Sequence, residues 1–275
     1  MAQRLTALLF HRTITLLTIL VTLAGAICGQ AAEMTGEELA RAVYERPDGI
    51  DMVSRGTMTL RGEDSRERVR ETYIYRTETG DFESRWLIRF TQPANIAGTG
   101  LLVHNHGAQE TDQWLYLPAA KRVRRVSSEN RGGNFVQSDI YYEDLQDRPP
   151  TEDAHRLLGI DAYQGTATFL LESIPREQAE SAYSKRVSWI HPETLIPLRI
   201  DFYQGGDEPV KRMEVQRLEQ MQGYWTVMSS TMTMLSTGHK TIMAVESVVY
   251  DTGLPDELFS IRALSDVVFE ERFRP

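Results

Sequence analysis

Two long runs near the end of the chain alternate between apolar and polar residues: WTVMSSTMTML at positions 225–235 and HKTIMAVESVVY at positions 239–250. A period of two is typical of β-strands that have one covered face and one exposed face. The residues between the runs, Ser236, Thr237 and Gly238, favour a turn. The two runs therefore predict an antiparallel hairpin.

The same alternation recurs through most of the chain. It is clear in the run Arg85-Trp86-Leu87-Ile88-Arg89-Phe90, and shorter examples are Met58 with Leu60, Tyr73 with Tyr75, Leu101 with Val103, Trp114 with Tyr116, Phe169 with Leu171, and Val187 with Trp189. No helical pattern intervenes regularly, so βαβ units are not expected. The pattern predicts an α+β fold built on one antiparallel sheet of about ten strands, curled around its own apolar face.

Three helical segments are predicted beside this sheet. Thr35 and Glu38 have capping-box spacing before a short apolar stripe, which favours a first helix that ends before Pro47. Ser138 can cap a second helix over residues 138–145. Pro255, followed by two acidic residues, predicts a short helical turn.

The first 31 residues differ in kind from the rest. Arg4 and Arg12 precede an uncharged apolar stretch, residues 14–26, and small residues follow up to Ala31. This is the pattern of a secretory signal peptide cleaved near Ala31. Residues 32–275 are then predicted to form a single exported domain without cysteine, because Cys28 leaves with the signal. Export and the lack of thiols favour the periplasm.

Composition excludes several classes of protein. The chain of 275 residues is 41% hydrophobic, which argues against intrinsic disorder. Its 30 Lys and Arg residues are outnumbered by 39 Asp and Glu residues, for a net charge of -9. A general excess of cations for nucleic-acid phosphates is therefore lacking, and no nucleic-acid partner is predicted.

No motif in the sequence indicates an enzyme. A nucleophile elbow, a His-Glu-x-x-His motif, a P-loop and a dinucleotide fingerprint are all missing from the sequence. His104 and His106 have a spacing that a metal can use, but no third ligand accompanies them. We therefore predict a protein without catalytic residues, metal or cofactor.

Two features could serve binding. Arg122, Arg124 and Arg125 form a local cationic patch, which could protect an edge strand from pairing or contact an anionic headgroup or an acidic partner. Met228, Met232 and Met234 share one face of a predicted strand. Methionine is flexible and polarizable, so such a row could fill a core or line a deformable apolar cavity.

Several ordered motifs resemble the outer-membrane lipoprotein-sorting family with the LolA-like fold. They are Arg85-Trp86-Leu87-Ile88-Arg89-Phe90, Pro93, Gly98-Thr99-Gly100-Leu101-Leu102, Trp114-Leu115-Tyr116-Leu117-Pro118, Arg122 to Ser127, Phe135, Ser138 to Leu145, Trp189-Ile190, Ile196-Pro197-Leu198, Gly223-Tyr224-Trp225 and Leu254-Pro255 with Leu258-Phe259. The resemblance spans about Met34 to Leu264. It implies an incomplete β-barrel with helices over its concave face and an apolar cavity between them.

The resemblance implies a periplasmic carrier or chaperone for the acyl chains of a lipoprotein or lipid, with an inner-membrane transporter and an outer-membrane acceptor as partners. The expected ligand lies between the sheet and the helices near residues 39–44 and 140–145. The expected cavity lining is Trp86, Ile88, Phe90, Trp114, Tyr116, Met228, Met232 and Met234. An envelope-stress sensor or transporter-associated adaptor, working through Arg122, Arg124 and Arg125, is the alternative, and a lipid hydrolase is the third.

Overall fold

The alternating runs form one antiparallel sheet in the computed structural model, which describes residues 34–62, 66–80, 82–107 and 109–275. The predicted signal peptide lies outside the described residues. The sheet has 13 strands: β1 (Asp51–Arg61), β2 (Glu67–Gly80), β3 (Glu83–Gln92), β4 (Gly100–His106), β5 (Gln109–Leu117), β6 (Arg122–Arg125), β7 (Asp153–Tyr163), β8 (Thr166–Pro175), β9 (Lys185–Ile190), β10 (Pro197–Tyr203), β11 (Lys211–Met221), β12 (Tyr224–Met234) and β13 (Lys240–Tyr250).

The strand order is β6-β5-β4-β3-β2-β1-β13-β12-β11-β10-β9-β8-β7. The predicted hairpin is confirmed, because β12 pairs antiparallel with β13 and Thr231 faces Ile242. The sheet has more strands than predicted. Strand β6 is almost entirely charged, and β7 is mostly exposed, so neither shows the alternation that marks a half-buried strand.

The order creates a long connection between the two edges of the sheet. Strands β1 to β6 extend outward from β1, and strands β7 to β13 return from the opposite edge to pair with β1. Residues 126–150, which we call the strap, therefore lead from one edge strand, β6, towards the other, β7. Among the described residues, β6 and β7 each have one strand neighbour, so the sheet is open.

Strand register assigns the side chains to two faces. Ile74, Ile88, Leu101 and Leu115 lie side by side on four neighbouring strands, on what we call the Phe90 face. The residues next to them in sequence, Tyr75, Leu87, Leu102 and Trp114, lie side by side on the opposite face, here the Tyr75 face. Each face carries its own apolar core.

Helix α1 (Gly36–Tyr44) covers the far end of the Phe90 face. Its Leu39 and Ala40 pack with Leu171 of β8 and Ile190 of β9. A Cβ on Gly36 would lie 2.7 Å from the backbone of β7, which is closer than real contacts allow. The absence of a side chain at this position is therefore what lets the helix approach the sheet.

The helix predicted over residues 138–145 is wrong. The strap contains only 3₁₀ turns, at Ser128–Asn130, Phe135–Gln137 and Glu143–Leu145. The carboxylates of Asp139, Glu143 and Asp144 bind groups on other elements: Thr241, residues 181–182 and Lys211. These three side chains make tertiary contacts in different directions, and the contacts override the weak local preference of the segment for helix.

The C-terminal segment covers the Tyr75 face. The turn predicted after Pro255 is confirmed as a 3₁₀ helix at Asp256–Phe259, followed by α2 (Ile261–Ser265) and α3 (Val267–Glu271). Leu258, Phe259 and Leu264 pack against Tyr75, Leu87 and Leu102. Residues 36–275 form one compact unit. None of the helices among the described residues has both the length and the apolar character of a transmembrane helix.

A buried ion pair fixes this C-terminal segment to the sheet. Arg89 of β3 and Glu270 of α3 are fully buried, with 2.7 Å between Arg89 Nε and Glu270 Oε2. The hydroxyl of Tyr75 donates to Glu270 at 2.7 Å, and Arg89 donates to the carbonyl of Leu264 at 2.8 Å. A Cβ on Gly100 would approach Arg89 Nη1 to 2.5 Å, so the glycine leaves space for the guanidinium.

Replacing Glu270 with Ala should lower the free energy of unfolding by about 3–5 kcal/mol, because Arg89 would become a buried charge without a partner. Urea denaturation measures the change. Glu271→Ala is the matched control, because the Glu271 side chain is 51% exposed, and its effect should be within about 1 kcal/mol. Equal losses in the two variants would contradict the role given to the buried pair.

Candidate functional site

A cavity of about 860 Å³ lies over the Phe90 face. Its lining comes from α1 and the residues after it, from β2 and β3, and from β8 and β9, together with residues 147–150 of the strap. The volume lies in the range of pockets that bind small molecules. This cavity is the candidate binding site.

One wall of the cavity is apolar. It includes Ala40 and Val43 of α1, Leu171 of β8 and Ile190 of β9. Leu171 and Ile190 are buried against the helix, so the helix and the sheet hold this wall together. Apolar side chains around a cavity of this size suit a hydrocarbon chain.

The polar part of the lining is built around a buried arginine, Arg76. Arg76 of β2 is 4% exposed, lies 3.0 Å from Asp48 and 3.1 Å from Glu78, and donates to the carbonyl of Gly49 at 2.8 Å. Its guanidinium carbon lies 5.9 Å from the centre of the Trp86 ring. These contacts fix the segment after α1, which lines the cavity, to the sheet.

Two carboxylates beside Arg76 are held in unfavourable surroundings. Burial raises the pKa of Asp147, although the Ser84 hydroxyl donates to it at 2.9 Å. Burial also raises the pKa of Glu78, with Arg76 opposing the shift and Asp48 adding to it. Both groups are therefore protonated more readily than an exposed carboxylate.

The strap fills the rest of the Phe90 face. Its Phe135, Ile140, Tyr141 and Tyr142 are buried against residues of six strands. The rings of Phe135 and Phe90 lie 5.7 Å apart between centroids. This part of the face is therefore packed by the strap itself, and the open volume lies beside it, next to α1.

A buried lysine holds the strap in place. Lys211 of β11 is fully buried, and its Nζ lies 2.5 Å from Asp144 of the strap and 3.6 Å from the centre of the Tyr141 ring. The Tyr183 hydroxyl donates to the same carboxylate at 2.7 Å. Burial lowers the pKa of Lys211, and Asp144 opposes that shift. Nearby, Asp139 of the strap accepts a hydrogen bond of 2.7 Å from the hydroxyl of Thr241.

The structure separates the eight residues predicted to line one cavity. Trp86 lines it. Ile88, Phe90 and Met232 are buried in the core beneath the strap, with Met234 partly buried against it. Met228 is buried at an irregularity in the pairing of β11 with β12.

Trp114 and Tyr116 lie on the Tyr75 face, in the core that the C-terminal segment covers. They are therefore not grouped with the other six. Alternation along a strand divides its residues between the two faces of the sheet. It does not indicate which residues of the next strand lie on the same face.

The predicted cationic patch lies on the edge strand β6. Arg124 is paired in register with Leu115, and Arg122 with Leu117, on the Phe90 face, whereas Arg125 is paired with Trp114. Arg125 forms an ion pair with Asp112. In the described part of the chain, Arg122 and Arg124 have no ion-pair partner, so their charges remain available.

The two histidines that could have bound a metal are engaged otherwise. His104 Nε2 lies 2.7 Å from the carbonyl oxygen of Phe259, and burial lowers the pKa of His104. His106 Nε2 lies 3.2 Å from Asp112. Among the residues that the structure describes, no cluster of three or more His, Cys, Asp or Glu side chains could hold a metal ion.

Sequence reasoning missed Arg76, Asp147 and Lys211, the polar residues that shape the site. Arg76 and Lys211 occupy inward positions on strands, where alternation predicts apolar residues. The sequence does contain a signal for Arg76 and Lys211, because a charged residue at an inward position of a strand requires a buried partner. The identity of that partner depends on the tertiary structure.

The fold is shared with a protein of low sequence identity. A LolA superfamily protein from Nitrosomonas europaea has a TM-score of 0.64 and 16% identity, over 83% of this chain and 99% of that one. This chain therefore has the same fold as that protein.

Two further solved structures are closer in sequence. A DUF1329 family protein from Desulfovibrio piger is 31% identical, with a TM-score of 0.79 over 83% of this chain and 97% of that one. A protein from Vibrio parahaemolyticus described as an outer membrane lipoprotein-sorting protein domain is also 31% identical, with a TM-score of 0.80 over 84% and 98% of the two chains.

The chain belongs to the DUF1329 family, and the predicted resemblance to the LolA-like family is confirmed. A family model whose description reads "Uncharacterized protein" matches residues 83–266. No curated protein is significantly similar in sequence.

Replacing Lys211 with Met should lower the free energy of unfolding by about 3–5 kcal/mol, because the volume is nearly kept while Asp144 loses its buried cation. Urea denaturation measures this loss. Lys240→Met, at an exposed position of β13, is the control and should change stability by less than about 1 kcal/mol. A loss for Lys211→Met as small as that of the control would contradict the anchoring role.

Replacing Asp147 with Asn should raise the thermal midpoint by a few degrees at pH 7, with the difference falling towards zero near pH 4. A raised folded-state pKa means that ionisation of Asp147 disfavours the folded state above the unfolded pKa of about 3.9. The neutral amide avoids this cost. Differential scanning calorimetry at both pH values measures the difference.

Asp207→Asn, at an exposed turn position, serves as the control and should change the midpoint little at either pH. A stabilisation by Asp147→Asn that is the same at pH 4 and pH 7 would show that the buried carboxylate is not its source.

Proposed function

We propose that the protein is a periplasmic carrier that binds the acyl chain of a lipid or lipoprotein in the cavity over the Phe90 face. The observation that carries this proposal is the cavity of about 860 Å³ with its apolar wall between α1 and the sheet. The similarity to a domain described as lipoprotein-sorting, at 31% identity, supports it.

We place this cavity inside an incomplete barrel. Five strands separate β2 from β9 in the strand order, yet β2 and β3 line the same cavity as β8 and β9. A sheet that curls around its Phe90 face accounts for this, because residues distant along the sheet then face each other. Helix α1 and the strap would lie over the concave side.

The energetics suit a carrier. An acyl chain of ~16 methylenes loses about 0.8 kcal/mol for each methylene moved from a membrane into water, on the order of 13 kcal/mol in total. A carrier must replace most of that apolar contact and still release the chain. Trp86, Val43 and Leu171 line the cavity and would provide such contact.

The transfer of an intact lipid changes no covalent bond, so the proposal gives this protein no catalytic residues. In this scheme the signal peptide directs export, an inner-membrane transporter supplies the ligand and an outer-membrane acceptor receives it. The cargo would reach the polar wall around Arg76 with its headgroup.

An adaptor that works through protein contacts is the second candidate. The observation that favours it is the free edge of β6, where Arg122 and Arg124 have no ion-pair partner among the described residues. A stable protein complex that is lost when both are replaced by Glu, in a protein that binds no lipid, would favour the adaptor.

Replacing Val43 with Asp should weaken the uptake of a fluorescent fatty acid at least tenfold, because the variant places a charge on the apolar wall. Fluorescence titration measures the affinity, and native mass spectrometry of the purified wild type should detect copurified lipid. Ala42→Asp adds the same charge to the same helix outside the cavity lining.

The control variant should bind like the wild type, and a thermal melt establishes that both variants are folded. The carrier proposal fails if the wild type neither contains lipid nor takes up the fatty acid, or if the two variants lose binding equally.

A further inference from the structure

A second cavity, of about 430 Å³, lies beside the edge strand β6. It shares no lining residue with the larger cavity. Its lining comes from β5, β6 and the strap: Leu115, Arg124, Arg125, Val126, Ser127, Glu129, Asn130 and Tyr142. We call it the edge cavity.

The polar side chains of the edge cavity are mostly unused. Within the described part of the chain, the side chains of Arg124, Ser127, Asn130 and Tyr142 have no hydrogen-bond partner. They provide one guanidinium, two hydroxyls and one amide. Tyr142 is buried and the other three residues are exposed, so all four side chains can donate to a ligand in the cavity without breaking a hydrogen bond within the described part of the protein.

One of these groups is rigidly placed. Tyr142 is 6% exposed, and its ring packs against Phe135 with 5.9 Å between centroids. Burial raises the pKa of Tyr142, and the nearby charge of Arg124 opposes the shift. The hydroxyl of Tyr142 is therefore a protonated donor at neutral pH and lies within electrostatic reach of the guanidinium of Arg124.

One cation of the edge cavity is available to a ligand. The lining contains two guanidinium groups, of Arg124 and Arg125, and one carboxylate, that of Glu129. Arg125 binds Asp112, whereas Arg124 has no ion-pair partner among the described residues. A planar guanidinium beside hydroxyl and amide donors suits the oxygens of a phosphate.

The floor of the edge cavity is apolar. Leu115 is 5% exposed and belongs to the core of the Phe90 face, and Val126 packs partly against the same core. A ligand with a hydrocarbon segment next to its phosphate could contact both side chains. An inorganic phosphate would use only the polar groups.

We infer that the edge cavity binds a phosphate group through Arg124 and the hydroxyl of Tyr142. The ligand is a phosphate monoester or diester, either in the headgroup of an amphiphile or in a water-soluble ester. The inference is independent of the carrier proposal, since the two cavities have separate linings.

The test uses isothermal titration calorimetry with three probes: inorganic phosphate, glycerol 3-phosphate and a lysophosphatidic acid below its critical micelle concentration. Arg124→Gln should weaken binding of the tightest probe at least tenfold, because a charge-assisted hydrogen bond is lost. Tyr142→Phe, which keeps the ring, should weaken it about threefold or more.

Arg122→Gln is the matched control, because Arg122 lies on the same strand and the same face but does not line the edge cavity. It should change binding less than twofold. Tighter binding of lysophosphatidic acid than of the two soluble probes would identify a lipid headgroup as the source of the phosphate. Equal binding of the three would identify a site for soluble phosphates.

The inference is overturned if none of the three probes binds, or if Arg124→Gln and Arg122→Gln weaken binding equally, which would indicate general surface charge. Loss of fatty-acid uptake in Val43→Asp with unchanged phosphate binding would separate this site from the carrier function. Loss of phosphate binding in Arg124→Gln with unchanged fatty-acid uptake would also separate the two.

Discussion

The strap, residues 126–150, crosses an apolar face of the sheet, and its path governs how that face is packed. Because β6 and β7 lie at opposite edges of the sheet, the chain between them has to pass from one edge to the other. Passage over an apolar face is stable only if the polar groups of the strap find partners. Lys211 and Tyr183 bind Asp144, and Thr241 binds Asp139. With these anchors, the aromatic residues of the strap can cover the Phe90 face.

The position of the strap also determines where ligands can bind. Where the strap packs on the Phe90 face, the side chains beneath it form a core, and Phe90 and Met232 are buried. Strap residues line both cavities in the described part of the chain: one beside α1, with apolar residues and the buried Arg76, and one beside β6, with Arg124. The proposed acyl site and the inferred phosphate site thus lie at separate parts of the same covered face.

Local patterns predicted much of the fold. Period-two alternation identified the long strands and the hairpin formed by β12 and β13, and the pattern after Pro255 identified a helical turn. The helix predicted over residues 138–145 was wrong, because its carboxylates bind partners more than 35 residues away in the sequence. One of the eight expected lining residues, Trp86, lies at the larger cavity. Trp114 lies on the opposite face, since alternation does not relate one strand to the next.

The spacing of apolar residues and the ordered local motifs were enough to predict the antiparallel strands, the position of the first helix and the family resemblance. The division of side chains between core and cavity lining became visible in the three-dimensional structure alone. That outcome depends on the register of neighbouring strands and on the path of the strap. It also depends on buried charge pairs such as Arg89 with Glu270, whose partners are 181 residues apart, a separation at which no local pattern couples two residues.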